Sequence, residues 1–228
     1  MSYNIEEIIQ YGRDWSFHKG SPNGRWKSWE HCYTVFLLHK GNKLSDGDAN
    51  YLALNLGFYL ASWRMYRGSS FILSRDYKIH IPAVKALMNP EYLRLWDIKC
   101  ADYLTDNNGL GQLMSVSYDL LDIYSQIRDE VAVESGKAEP SAELSQTLIT
   151  KILMGVMGCV PAYDTYFIKG RQGVIQERSY SRESINALSK LWVNHETAFE
   201  MLRADVSSPG LLYLQMKVID MCFNSRGM

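Results

Sequence analysis

The chain has 228 residues, 46% of them hydrophobic, and a formal net charge of −1. That is long enough to bury a substantial core without disulfides or a structural metal, and too apolar for a disordered chain. The near-zero charge gives no global field to attract nucleic acid, so a nucleic-acid ligand would need a local basic patch.

The opening MSYNIEEIIQYGRDW is polar and amphipathic, which predicts no targeting segment. Residues 28–40 and 46–66 follow as helices. In the second, Leu52, Leu56, Tyr59, Leu60 and Trp63 make one apolar stripe, with Asp46 or Asp48 to cap its start and Gly68 to end it. Helical pieces are predicted over 69–75 and 81–88, then 90–104, with Pro82 and Pro90 suited to helix starts. Residues 112–135 read as a long acidic helix and 142–158 as an apolar one. Pro161 is placed at the first position of a short helix, which puts Asp164 at the end of its first turn. The last two helices are predicted over 181–204, capped by Ser181, and 210–223. Leu188, Trp192, His195, Phe199 and Leu202 face one way in the first of these. No alternating strand pattern persists and no apolar run is long enough to span a membrane. The prediction is an all-α, compact multi-helix domain over 1–228, single or built as two intertwined helical subdomains.

Several chemistries are excluded by spacing. The five histidines form neither HxxxH nor HExxH, and Cys32, Cys100, Cys159 and Cys222 are too far apart for a CxxC pair. They read as reduced thiols of a cytoplasmic protein, with no metal site. There is no GxxxxGK[ST] loop, no strand–GxGxxG–helix unit and no GxSxG elbow. Arg67-Gly68-Ser69-Ser70 offers hydrogen-bond donors to an anion, or simply the caps of two helices. Arg13 and His18 reproduce the Arg-x4-His spacing of an all-α RNase type, at an N-terminal position where that motif is not expected.

Asp164 stands out. It follows an apolar run and a Gly-Cys-Val-Pro turn, and its neighbours Tyr163, Tyr166 and Phe167 are aromatic. A carboxylate shielded by rings is suited to general-base or electrostatic catalysis. The simpler alternative is a carboxylate that complements a helix dipole. Basic residues cluster in the same part of the chain (Lys169, Arg171, Arg178, Arg182), in 61–80 (Arg64, Arg67, Arg75, Lys78) and in 13–27 (Arg13, Lys19, Arg25, Lys27). The acidic stretch 116–143 compensates them. A basic face with aromatics beside it fits phosphate contacts plus base stacking.

The stretch PSAELSQTLITKILMGVMGCVPAYDTYF, residues 140–167, resembles the core of the helix-hairpin-helix DNA glycosylases. In that superfamily a hairpin leads into an apolar helix, a Gly- and Pro-containing turn, and a catalytic Asp in a V-D-T-H-like context; Asp164 matches that position. Glu139-Pro140-Ser141-Ala142-Glu143-Leu144 stands where the family has a glycine-rich phosphate-binding hairpin. Ser145 or Gln146 stands where bifunctional members carry a Schiff-base lysine. The resemblance therefore implies a monofunctional glycosylase without lyase activity. The text LALNLGFYLASWRMYRGSSFIL is similar to bacterial anti-phage glycosylases that excise glucosylated hydroxymethylcytosine.

The expectation is excision of a modified base from double-stranded DNA with a flipped nucleotide, leaving an abasic site, with no cofactor and no membrane partner. Asp164 is the expected catalytic residue. Tyr163, Tyr166, Trp63, Ser69 and Ser70 would bind substrate, and Arg64, Arg67, Lys151, Lys169 and Arg171 would bind DNA. The alternative is a nonenzymatic nucleic-acid-binding or helical protein-interaction module.

Overall fold

A computed structural model describes residues 3–17, 24–68, 70–73, 75–105, 107–136 and 144–228. Among them the architecture is all-α, with no strand beyond one isolated bridge between Ser208 and Leu211. In chain order the helices are α1 (Ile5–Phe17), α2 (Lys27–His39), α3 (Asp46–Ser62), α4 (Ile81–Leu87), α5 (Cys100–Thr105), α6 (Asn107–Glu134), α7 (Gln146–Val156), α8 (Thr165–Gly170), α9 (Arg182–Asn194), α10 (Glu196–Val206) and α11 (Gln215–Gly227). Short 3-10 helices span Tyr77–His80 and Pro90–Trp96. No described helix is long and apolar enough to cross a membrane.

Two helices form the centre. α7 is apolar on nearly every face, and a helix of that kind has to be surrounded; all its residues from Leu148 to Val156 are buried. It lies against α2, α3 and α6. α11 is buried from Gln215 to Asn224 and lies against α1, α8, α9 and α10. The stripe Leu52, Leu56, Tyr59 and Leu60 on α3 joins the core. The four cysteines are free and buried.

Several boundaries differ from the sequence expectation, each for a local reason. α3 is capped by Ser45 in a capping box with Asp48, so Asp48 sits inside the first turn. The predicted helix 90–104 is a 3-10 helix followed by α5. The Cys100 N–H donates to Gln215 Oε1 at 2.7 Å, tying the second start to α11. The predicted helix 181–204 breaks at His195, whose φ of −130° is not helical. Trp192 and Phe199 stack across that break at 4.8 Å, so the apolar stripe persists through it and hides it from periodicity. Within the predicted helix 69–75, residues 71–73 form a turn, not a helix. Ser181 caps α9 as expected, accepting from the Ser184 N–H. α8 begins at Thr165, not at Pro161, and Asp164 is its N-cap.

Candidate functional site

The segment Pro161–Asp164 is an extended turn between α7 and α8, and three side chains pin it. Asp220 Oδ1 accepts from the Ala162 N–H (3.0 Å), Thr150 Oγ1 accepts from the Tyr163 N–H (3.0 Å), and Thr147 Oγ1 donates to the Tyr163 carbonyl (2.8 Å). Asp164 then places one carboxylate oxygen at the head of α8, where Oδ1 accepts from the N–H groups of Tyr166 (3.1 Å) and Phe167 (3.0 Å). This is ordinary N-cap chemistry. It leaves Oδ2 free of the cap, and Oδ2 lies 3.1 Å from Lys151 Nζ. The two side chains are 7% and 16% exposed, so the pair sits mostly out of solvent.

That pair faces a cavity of about 640 Å³. Its more buried lining comes from Trp15, Leu148, Lys151, Asp164 and Asn224, and its aromatic walls from Trp63, Phe71 and Tyr166. Arg25, Arg64 and Arg67, all exposed, lie around the mouth, with Ser70 beside them. Two cations lie near the Trp63 ring: Arg25 is 5.2 Å and Lys151 5.5 Å from its centroid. Behind Asp164, Tyr59, Lys217 and Asp220 line a second void of about 10 Å³. Asp220 is fully buried; burial pushes its carboxyl pKa up, opposed by Lys217 at 3.2 Å.

Seven of the expected site residues therefore share one cavity: Asp164, Trp63, Tyr166, Ser70, Arg64, Arg67 and Lys151. Three others do not line it. Tyr163 is buried, with its hydroxyl bonded to Ser184. Arg171 is 1% exposed, packed over the rings of Tyr163 (5.3 Å) and Phe167 (5.8 Å), and cannot reach a DNA phosphate. Lys169 is exposed on α8 and does not line the cavity. Ser69, His18 and the hairpin residues 139–143 lie outside the described residues. Lys217, Asp220 and Asn224 also adjoin the site, and none of them is among the residues expected from sequence. Their signal was present as three polar residues at helical spacing in a helix otherwise rich in apolar side chains. Among the described residues no His/Cys/Asp/Glu group is arranged to hold a metal ion.

The cavity rim is anchored from below. His80 is fully buried; its Nε2 lies 2.6 Å from the Tyr66 hydroxyl and its Nδ1 2.6 Å from the Tyr124 hydroxyl. A neutral imidazole satisfies both, donating at one nitrogen and accepting at the other. Tyr66 sits between the cavity residues Met65 and Arg67, so this bond holds the rim to the core. Burial lowers the His80 pKa to about 4 from an ordinary value of 6.5. A proton then favours the unfolded state, so the stability contribution is complete above about pH 6.5 and is lost as pH falls toward 4. In His80→Phe the loss of stability between those pH values should be smaller than in the wild type, as read by urea denaturation. An unchanged slope would contradict the assignment.

Comparison of the chain with protein-family models, with curated proteins and with solved structures finds no match.

Proposed function

We propose that this protein is a monofunctional DNA N-glycosylase that takes a flipped nucleotide into the cavity and releases its base at Asp164. The observation that carries the reading is a carboxylate in the inner lining of an aromatic-walled cavity, with arginines around the mouth. Flipping costs a few kcal/mol of stacking and pairing, which the faces of Trp63 and Tyr166 would offset. A volume of about 640 Å³ exceeds what a bare base needs and suits a base with a bulky polar substituent, such as the glucosylated hydroxymethylcytosine of phage DNA.

In the reaction the bond between C1′ and the base nitrogen breaks, and its electron pair leaves with the base. The positive charge that develops on the sugar lies against Asp164. Two backbone N–H groups and Lys151 fix this carboxylate in orientation, which fits electrostatic stabilisation of a cation. Water then adds at C1′ and its proton passes to the departed base anion, leaving an abasic site and the free neutral base. In this route Lys151, 3.1 Å from Asp164 Oδ2, orients the carboxylate and is not the nucleophile.

The test is incubation with unmodified and phage-modified duplex DNA, followed by assay for abasic sites with and without borohydride. Abasic sites without a trapped covalent adduct are expected, with modified DNA the better substrate. A trapped adduct would make Lys151 the nucleophile. Salt-sensitive binding with no abasic sites on either DNA would leave a nonenzymatic nucleic-acid-binding module.

A further inference from the structure

The chain leaves α3 by an unusual residue. The Met65 N–H donates to the Leu60 carbonyl (2.9 Å) and the Arg64 N–H to the Ala61 carbonyl (3.0 Å), which together make a Schellman motif. Its left-handed position belongs to glycine, because any Cβ there is crowded against the backbone. After α2, α6 and α7 the chain uses Gly41, Gly136 and Gly158 in that conformation. After α3 it uses Arg64, with φ 62°, the one non-glycine residue with positive φ among those described. The strained backbone sits at the mouth of the cavity.

A second observation is electrostatic. Arg13, Arg75 and Arg203 pair with Asp205, Glu134 and Glu200. Among the described residues no carboxylate pairs with Arg25, Arg64 or Arg67; Arg64 and Arg67 share the segment after α3, and Arg25, which lies over the Trp26 and Trp63 rings, joins them in the cavity lining from a distant part of the chain. Strain held at a ligand site, and guanidinium groups left without counter-charges, are both explained by an anion.

We propose that Arg64, held in the left-handed conformation, forms with Arg25 and Arg67 a subsite for a phosphate group of the nucleotide that enters the cavity. This rests on, and deepens, the reading of the cavity as a nucleotide site. Glycine at position 64 would relax the backbone, and the protein forgoes that stability to place a guanidinium at the mouth.

The test compares Arg64→Gly, Arg64→Ala and wild type in thermal unfolding and in binding deoxycytidine 3′,5′-bisphosphate, followed by the fluorescence of the cavity tryptophans. Wild type should bind the bisphosphate at least about tenfold more tightly than deoxycytidine, as charge-assisted contacts require. Both variants should lose that preference. Arg64→Gly should melt roughly 2–4 °C above wild type, while Arg64→Ala, with its Cβ still crowded, should not. Equal binding of bisphosphate and nucleoside by the wild type, or an Arg64→Gly variant that binds normally, would overturn the subsite. So would an Arg64→Gly melting point no higher than that of Arg64→Ala. A wild type that passes these tests and makes no abasic sites would remove the excision chemistry and leave the subsite standing.

Discussion

Asp164→Asn should reduce base release by at least about 10³-fold while changing DNA affinity by no more than about twofold. The substitution isolates charge from structure unusually well. Asparagine caps helices about as well as aspartate, so the bonds from the Tyr166 and Phe167 amides to the side chain can persist. What disappears is the negative charge facing Lys151, the charge that the proposed reaction sets against the sugar. Lys151 would then lie mostly buried without its partner, though still 5.5 Å from the Trp63 ring. Breaking a mostly buried pair by removing one member costs up to about 3–5 kcal/mol, and the cavity opening should keep the cost near the lower figure. Circular dichroism should therefore report a folded protein with a lowered Tm. Asp164→Ala should lose a further roughly 1 kcal/mol because the cap goes as well. Base release by Asp164→Asn at the wild-type rate would make Asp164 a cap and ion-pair residue only.

Gly170→Ala should destabilise the protein by about 3 kcal/mol or more, lowering Tm by roughly 6–12 °C in a chain of this size. In an ordinary helix the same change would stabilise by nearly 1 kcal/mol, so the predicted sign is itself diagnostic. The reason is a backbone-to-backbone contact between α8 and α11. A Cβ on Gly170 would fall inside the Phe223 carbonyl, and a Cβ on Gly227 inside the Tyr166 carbonyl. Arg226 seals the junction by donating to the Gly170 and Gln172 carbonyls. Neither backbone can yield without moving its helix, and α8 carries Asp164 at its head. The variant should lose base release as well as stability. A Tm equal to or above that of the wild type would mean that the two helices are not in this contact.

The same contact explains part of what the sequence did not reveal. From the sequence Arg171 reads as a DNA-binding surface residue beside Gly170 and Gly173, and Tyr163 as part of the substrate pocket. With α8 pressed onto α11, Arg171 turns inward over the rings of Tyr163 and Phe167, and a basic residue expected on the surface becomes part of the core. Local sequence carries no sign of a neighbour some fifty residues away in the chain. The start of α8 was misplaced for a related reason. Pro161 suits a first helical turn, but Asp220 from α11 captures the Ala162 N–H and holds the turn extended until Asp164. By contrast, the stripes on α3 and on α9 with α10 were legible, because burial of one helix face imposes its own period. Tyr166, two residues after Asp164, could be grouped with it from the sequence, but the direction of the Lys151 side chain could not be read, because it depends on how α7 packs. Trp63, Arg64 and Arg67 were chosen for residue type and local charge. Their meeting with Asp164 depends on α3 packing against α7, which is tertiary information.

The most direct test of the central claim is the structure of Asp164→Asn bound to duplex DNA containing one phage-type modified cytosine. That nucleotide should lie outside the stack, its base between Trp63 and Tyr166, its C1′ facing residue 164 and its phosphate on Arg64. A complex in which the modified base stays stacked in the duplex and DNA lies away from the cavity would contradict it.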